Sequence, residues 1–180
     1  QETFRLLFAK RTFRLFLIGA TLVSFVTYAH QAFVAPFFFR VHGPALSALA
    51  KDFALGPAGL LGISLGLTTG FAGSIGLWLG GRISDRMALR NAGAYGRVTA
   101  FSLLVFVPVQ IGAFLLPDMR WALLAFAPSI LLASVWIGPV QATVQSVAPR
   151  HMRATASAIL LLAINLLGLG LGPLLLGIVS

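Results

Sequence analysis

The sequence predicts an all-α membrane protein with five transmembrane helices. Three observations carry that expectation. Charged residues are 9% of the chain and hydrophobic ones 58%, with mean hydropathy +0.95. Soluble domains carry roughly 25% charged residues. Five apolar runs reach the ~20 residues a helix needs to cross a bilayer. The cations gather in the connections between these runs.

The first run is Leu15 to Phe39, preceded by a basic lead-in with Arg5, Lys10, Arg11 and Arg14. Residues 1–14 read as a cytoplasmic linker and residues 15–180 as the transmembrane bundle. Pro44 to Leu55, carrying Lys51 and Asp52, is too short to span and reads as a surface segment. The second run goes from Pro57 to Gly80, with Pro57 suited to a first helical turn. Gly80 to Arg97 then reads as a short basic loop around one carboxylate, Asp85. The third run is Val98 to Leu116, closed by a tight turn over Pro117 to Arg120. The fourth is Trp121 to Val140, with a helical continuation to Val147. The fifth is Ala154 to Val179. The chain starts at Gln1 and stops within an apolar pattern at Ser180, so both ends read as cuts and a sixth span is expected.

Alternating crossings put Arg5, Lys10, Arg11, Arg14, Arg82, Arg86, Arg90, Arg97, Arg150 and Arg153 on one side. Arg40, Lys51 and Arg120 fall on the other. That is ten against three of the 13 Lys and Arg. Basic loops stay cytoplasmic, so the N-terminal end is expected in the cytoplasm, at the inner membrane if the host is bacterial. A net charge of +9 would suggest nucleic acid in a soluble chain. Here the cations are dispersed among loops, so no nucleic-acid partner is expected.

The second run carries a glycine ladder, Gly62, Gly66 and Gly70, then Gly76 and Gly80 with Ala72 in step. Small residues every four positions let another helix approach closely, and a smooth face can also slide. In the first run Thr21, Ser24, Tyr28 and Gln31 share one helical face. Such a stripe either hydrogen-bonds between helices or lines a water-filled cavity. Phe33, Phe37, Phe38 and Phe39 suit an apolar cavity wall or an interfacial aromatic belt. His30 lies inside the run and is a candidate proton relay, or a satisfied packing residue. Asn165 precedes Gly168, Gly172, Pro173 and Gly177 in the fifth run, where the proline bends the helix and the glycines allow close packing. Gln110, Gln141, Trp136 and Asn165 read as helix-to-helix contacts or cavity lining. The substrate-cavity candidates are Tyr28, Gln31, Phe33, Phe37, Trp136 and Asn165.

No catalytic constellation emerges, and no enzyme is expected. There is no cysteine, no paired carboxylate and no phosphate loop. His42 and His151 fall on opposite sides, so no metal site is expected, and no cofactor is called for.

Gly81-Arg-Ile-Ser-Asp85-Arg86-Met-Ala-Leu-Arg90 resembles the major facilitator superfamily motif G-x-L-x-D-R-x-G-R-R. Gly81, Asp85, Arg86 and Arg90 match. Ile83 replaces Leu, while Ala88 and Leu89 depart from Gly and a cation. The lead-in Glu2 to Phe8 resembles the central linker that enters helix seven. Pro36 to Gly43, Gly138 to Ala142 and Val147 to Ala158 resemble the spinster-like branch of that superfamily.

This resemblance implies five helices, seven to eleven, of a six-helix major facilitator half-bundle. The N-terminal half and the last helix would be its missing partners. The halves rock around a central cavity. The first and fourth spans would line the cavity, the second and fifth would form the interface through Gly62, Gly66, Gly70, Gly168, Gly172 and Pro173, and the third would pack outside. Gly81, Asp85, Arg86 and Arg90 would form half of a conformational latch, with Asp85 pairing Arg86 or Arg90 or capping a helix of the other half.

The expected function is secondary active transport of a small amphipathic solute across the lipid bilayer. A lysolipid or sphingoid-like lipid with proton coupling is one candidate substrate. A drug or organic anion is another. A non-transporting scaffold or orphan half-transporter is the alternative from a different class.

Overall fold

The computed structural model describes residues 2–91 and 93–179, without the side chains of residues 2–4, 176 and 179. The described chain is helical, with no strand among its described residues. Its helices are α1 (Glu2–Ala9), α2 (Arg11–Val41), α3 (Gly43–Asp52), α4 (Pro57–Ala88), α5 (Ala94–Leu115), α6 (Met119–Val135) and α7 (Ile137–Val147). A 3₁₀ turn (Arg150–Met152) leads into α8 (Arg153–Ala163), a π-helical segment (Ile164–Leu169) and α9 (Gly170–Val179). Five stretches are long and apolar enough to cross a membrane: Arg11–Val41, Pro57–Ala88, Ala94–Leu115, Met119–Val147 and Arg150–Leu175. The protein is a multi-pass membrane protein, as its composition requires.

Contacts divide the chain into two compact units, Gln1–Phe33 with Val140–Ser180, and Val34–Pro139. The helix α2 contributes residues to each.

In the unit Val34–Pro139, α4 and α5 both pack on α6. The exit of α2 and the helix α3 join this core through Val34, Phe38, Leu46 and Ala50, which meet Leu60, Leu61, Ala113, Met119, Ala122 and Phe126. The helix α3 thus docks by one face, Leu46 and Ala50, as a short surface helix must. It ends at Asp52, and Ala54, two residues beyond, has a left-handed φ of 52°. That lets Leu55 N–H reach back to Ala50 O at 2.9 Å and turns the chain toward Pro57. Asp118 opens α6 as a side-chain cap, accepting from Arg120 N–H at 2.7 Å. The surface of α5 is inverted relative to water. Phe101, Leu104 and Leu115 are 68–77% exposed, while Ser102 and Gln110 are buried. Those outward apolar side chains suit hydrocarbon as solvent.

In the unit Gln1–Phe33 with Val140–Ser180, Leu7, Phe13, Leu17 and Ala20 are buried alongside Val144, Ala148, Ala156 and Leu160. The 3₁₀ turn closes the α7–α8 connection, with Met152 N–H bonded to Pro149 O at 2.8 Å.

Candidate functional site

The Gly81–Arg90 motif is not a loop. The helix α4 runs through it to Ala88, so Gly81, Asp85 and Arg86 sit on its last turns and only Arg90 lies beyond. The reason is electrostatic as well as conformational: Arg86 and Arg90 complement the carbonyl end of the helix. Asp85 does not, and its partner is another residue. Tyr95 Oη, from the first turn of α5, donates to Asp85 Oδ1 at 3.0 Å. Among the described residues no ion pair within 4.0 Å joins Asp85 to Arg86 or Arg90. The partner that the structure gives Asp85 is thus a hydroxyl ten residues on, across the turn. Arg82 instead lies over the Trp78 ring at 5.2 Å.

Gly81 is half-buried where α4 meets the start of α7. A Cβ built on Gly138 would stand 3.3 Å from Gly81 N and 3.4 Å from Gly81 Cα. Two glycines at this crossing let the backbones touch.

The glycine ladder of α4 resolves into two rows, two residues out of phase and hence roughly opposite on the helix. One row, Leu60, Ser64, Thr68, Ala72, Gly76, Gly80 and Ser84, is buried or half-buried. A Cβ on Gly76 would fall within 3 Å of Leu131 O, and one on Gly80 within 3 Å of Val135 O, both on α6. The other row, Gly62, Gly66, Gly70, Ser74, Trp78, Arg82 and Arg86, is exposed, and a Cβ on any of its three glycines would meet nothing within 4 Å. Sequence spacing could have separated these rows: Gly70 and Ala72 cannot share a face.

The polar stripe of α2 also changes character. Thr21 donates to Leu17 O at 2.8 Å and Ser24 to Ala20 O at 2.7 Å. Thr27 does the same to Val23 O at 2.8 Å. Each of these hydroxyls donates its hydrogen to its own helix, so the donated bond does not bridge to another helix. What remains of the stripe is Tyr28, half-buried, and Gln31, exposed.

The proposed cavity residues divide between the two units. Tyr28, Gln31, Phe33 and Asn165 belong to Gln1–Phe33 with Val140–Ser180; Phe37 and Trp136 belong to Val34–Pro139. Tyr28 lies against the fifth span, where a Cβ on Gly168 would be 3.2 Å from Tyr28 Cδ2 and 2.9 Å from Ser24 Cβ. One turn on, a Cβ on Gly172 would be 2.7 Å from Phe25 O. Gly168 and Gly172 therefore pack on α2 within this chain, beside the half-buried Pro173. Asn165 is exposed in the π segment and its Nδ2 donates to Leu161 O at 2.8 Å. Phe37 is engaged in an aromatic cluster, 5.5 Å from Phe38, 4.6 Å from Phe114 and 5.7 Å from His42. Trp136 is buried at the α6–α7 junction, and its Nε1 has no hydrogen-bond partner among the described residues. His30 is half-buried within α2. Among the described residues, no cluster of three or more His, Cys, Asp or Glu could hold a metal.

No protein-family model matches the chain. It is 29% identical over 174 residues to an MFS-type efflux pump of Mycolicibacterium smegmatis, a match covering 97% of this chain and 38% of the pump. It is also similar to crystal structures of a bacterial homolog to the human lysosomal transporter Spinster. The inward-facing, unoccupied form superposes with a TM-score of 0.75 at 30% identity, over 96% of this chain and 33% of that one. The inward-facing, occupied form gives 0.72 at 29% identity, over 92% and 33%. The chain thus spans about a third of the length of these relatives. The likeness to an MFS-type efflux pump and to a bacterial Spinster homolog runs along nearly all of the five spans of this chain.

Proposed function

We propose that this chain forms helices seven to eleven of a secondary active transporter that moves a small amphipathic solute by alternating access. The observation that carries the reading is the likeness, over 96% of the chain, to an inward-facing spinster homolog. The exposed row of α4 supports it: a helix whose one face is locked to α6 and whose other face is smooth suits a bundle that rocks against a second half. The N-terminal half and one further helix are its partners in this reading. The basic ends face the cytoplasm, and the membrane is the inner membrane if the host is bacterial.

Asp85, Arg86 and Arg90 act as half of a latch, with Tyr95 holding the Asp85 carboxylate in one state. The candidate substrate contacts are Tyr28, Gln31, Phe33 and Asn165 in one unit and Phe37 and Trp136 in the other, each taken by itself, and His30 is the candidate proton relay. A lysolipid or sphingoid-like lipid, polar at one end and apolar at the other, suits a set of contacts that includes both the polar Gln31 and the aromatic Phe33. An efflux substrate such as a drug or organic anion is the second reading, favoured by the pump it resembles.

The test is uptake by the full-length protein in proteoliposomes, with a lysolipid and a cationic drug as alternative cargoes and with the pH gradient imposed or collapsed. Gradient-dependent flux of one cargo is expected. Asp85→Asn should slow it and shift the inward-to-outward ratio about fivefold, from ~1 kcal/mol for a partly exposed charge-assisted bond. Flux of neither cargo, together with unchanged populations in Asp85→Asn, rejects the transport reading and its latch.

A further inference from the structure

Six of the 13 cations fall in the unit formed by residues 1–33 and 140–180: Arg5, Lys10, Arg11, Arg14, Arg150 and Arg153. Glu2 is its only acidic residue. Lys10 stands at the elbow between α1 and α2, and its Nζ donates to Val147 O at 2.5 Å. Val147 ends α7, where backbone carbonyls lack helical partners, so the ammonium caps that end. The bond pins the elbow beside the α7–α8 turn, which carries Arg150 and Arg153. Leu7 and Phe13, 0% and 1% exposed, anchor the elbow from below. Lys10 is thereby occupied, while the five arginines are exposed. Leu6 and Phe8 are also exposed, at 47% and 39%.

The helix α2 begins at Arg11 and crosses the membrane, so its first turn lies at the bilayer boundary. A rigid elbow there presents two apolar side chains and a set of arginines with no carboxylate among the described side chains of its unit. Guanidinium groups bind phosphate oxygens through paired N–H donors. Anionic headgroups supply those phosphates at that depth, and acyl chains accept Leu6 and Phe8.

We infer that the α1–α2 elbow and the α7–α8 turn form a docking surface for anionic phospholipid, with Arg5, Arg11, Arg14, Arg150 and Arg153 contacting headgroup phosphate. Lys10 is a positioning residue that holds the surface together without touching the lipid. The surface uses none of the latch or cavity residues, so its failure would leave the transport reading standing.

The experiment uses the full-length protein in neutral phosphatidylcholine nanodiscs, titrated with phosphatidylglycerol, with bound lipids counted by native mass spectrometry. Wild type should retain phosphatidylglycerol over phosphatidylcholine. The triple variant Arg5→Gln/Arg11→Gln/Arg14→Gln should weaken retention roughly a hundredfold, at about fivefold per arginine near an anionic surface. Arg40→Gln/Arg120→Gln should change nothing. Lys10→Met should weaken retention with all five arginines present by clearly more than the about fivefold that the loss of one cation near an anionic surface costs; a loss of about fivefold or less would remove its positioning role. If the triple variant loses its thermal transition in neutral lipid, Arg150→Gln/Arg153→Gln carries the same test. Retention equal to wild type in the folded variant overturns the proposal. So does competition by soluble glycerol 3-phosphate as strong as that by the lipid, since the site would then bind free phosphate.

Discussion

Replacing Gly80 by alanine adds a single methyl group at the tightest crossing of the bundle. Its Cβ would fall within 3 Å of the Val135 carbonyl and close to Val135 Cα. The obstacle is helix backbone, which cannot rotate away as a side chain end could. Nor can the carbonyl retract into its own helix: the residue four ahead is Pro139, which has no N–H to offer it. The helices α4 and α6 must separate, loosening the row that continues through Gly76. Overpacking costs about 1–3 kcal/mol, and the rigid neighbour puts this site at the upper end. Alanine recovers up to ~1 kcal/mol of helix propensity. The net expectation is a loss of about 2 kcal/mol, or roughly 4–8 °C in the unfolding midpoint for a chain of this size. Gly112→Ala is the matched control, because a Cβ there meets nothing within 4 Å; it should leave the midpoint unchanged or raise it. Thermal unfolding of the detergent-solubilised proteins, followed by fluorescence-detected gel filtration, reads both. A Gly80→Ala midpoint at or above that of Gly112→Ala would refute the close-approach argument.

Tyr95→Phe removes the hydroxyl that holds Asp85 and should cost about 1 kcal/mol, discounted for exposure. Hydrogen exchange should quicken at the α4–α5 turn, and unaltered protection over residues 85–95 would show that the bond contributes nothing. Ala54→Gly relieves a left-handed residue and should stabilise by about 1 kcal/mol; a lower unfolding midpoint would contradict that backbone assignment. Tyr28→Ala with Gln31→Ala should weaken substrate affinity about tenfold, the equivalent of ~1.4 kcal/mol. Unchanged binding in both removes the α2 stripe from the cavity.

All five spans were legible from length and hydropathy alone, because the bilayer sets both. Their ends were not. The helix α2 starts at Arg11 rather than Leu15, and α4 passes Gly80 to reach Ala88. Helical turns persist beyond the hydrocarbon, where arginines keep their charge in water while apolarity stops. The fourth span breaks at Trp136, one residue before the next helix begins and just ahead of Gly138-Pro139. The role of Thr21 and Ser24 was not legible, since a hydroxyl that bonds its own helix has the same sequence pattern as one that bonds a neighbour. Tyr95 was missed because nothing in the motif encodes a partner across a turn. The motif residues were identified from their spacing, yet their pairing depended on where α5 starts.

The two rows of α4 are built from the same residue type and answer to different parts of the protein. Gly76 and Gly80 are constrained by the backbone of α6, inside this chain. A Cβ on Gly62, Gly66 or Gly70 would meet nothing within 4 Å among the described residues. Among related sequences, substitutions at the first pair should therefore travel with compensating changes around Leu131 and Val135. Substitutions at the other three should travel with changes outside these 180 residues. Covariation along this one helix would then mark, position by position, which glycines hold the bundle together and which ones face whatever moves against it.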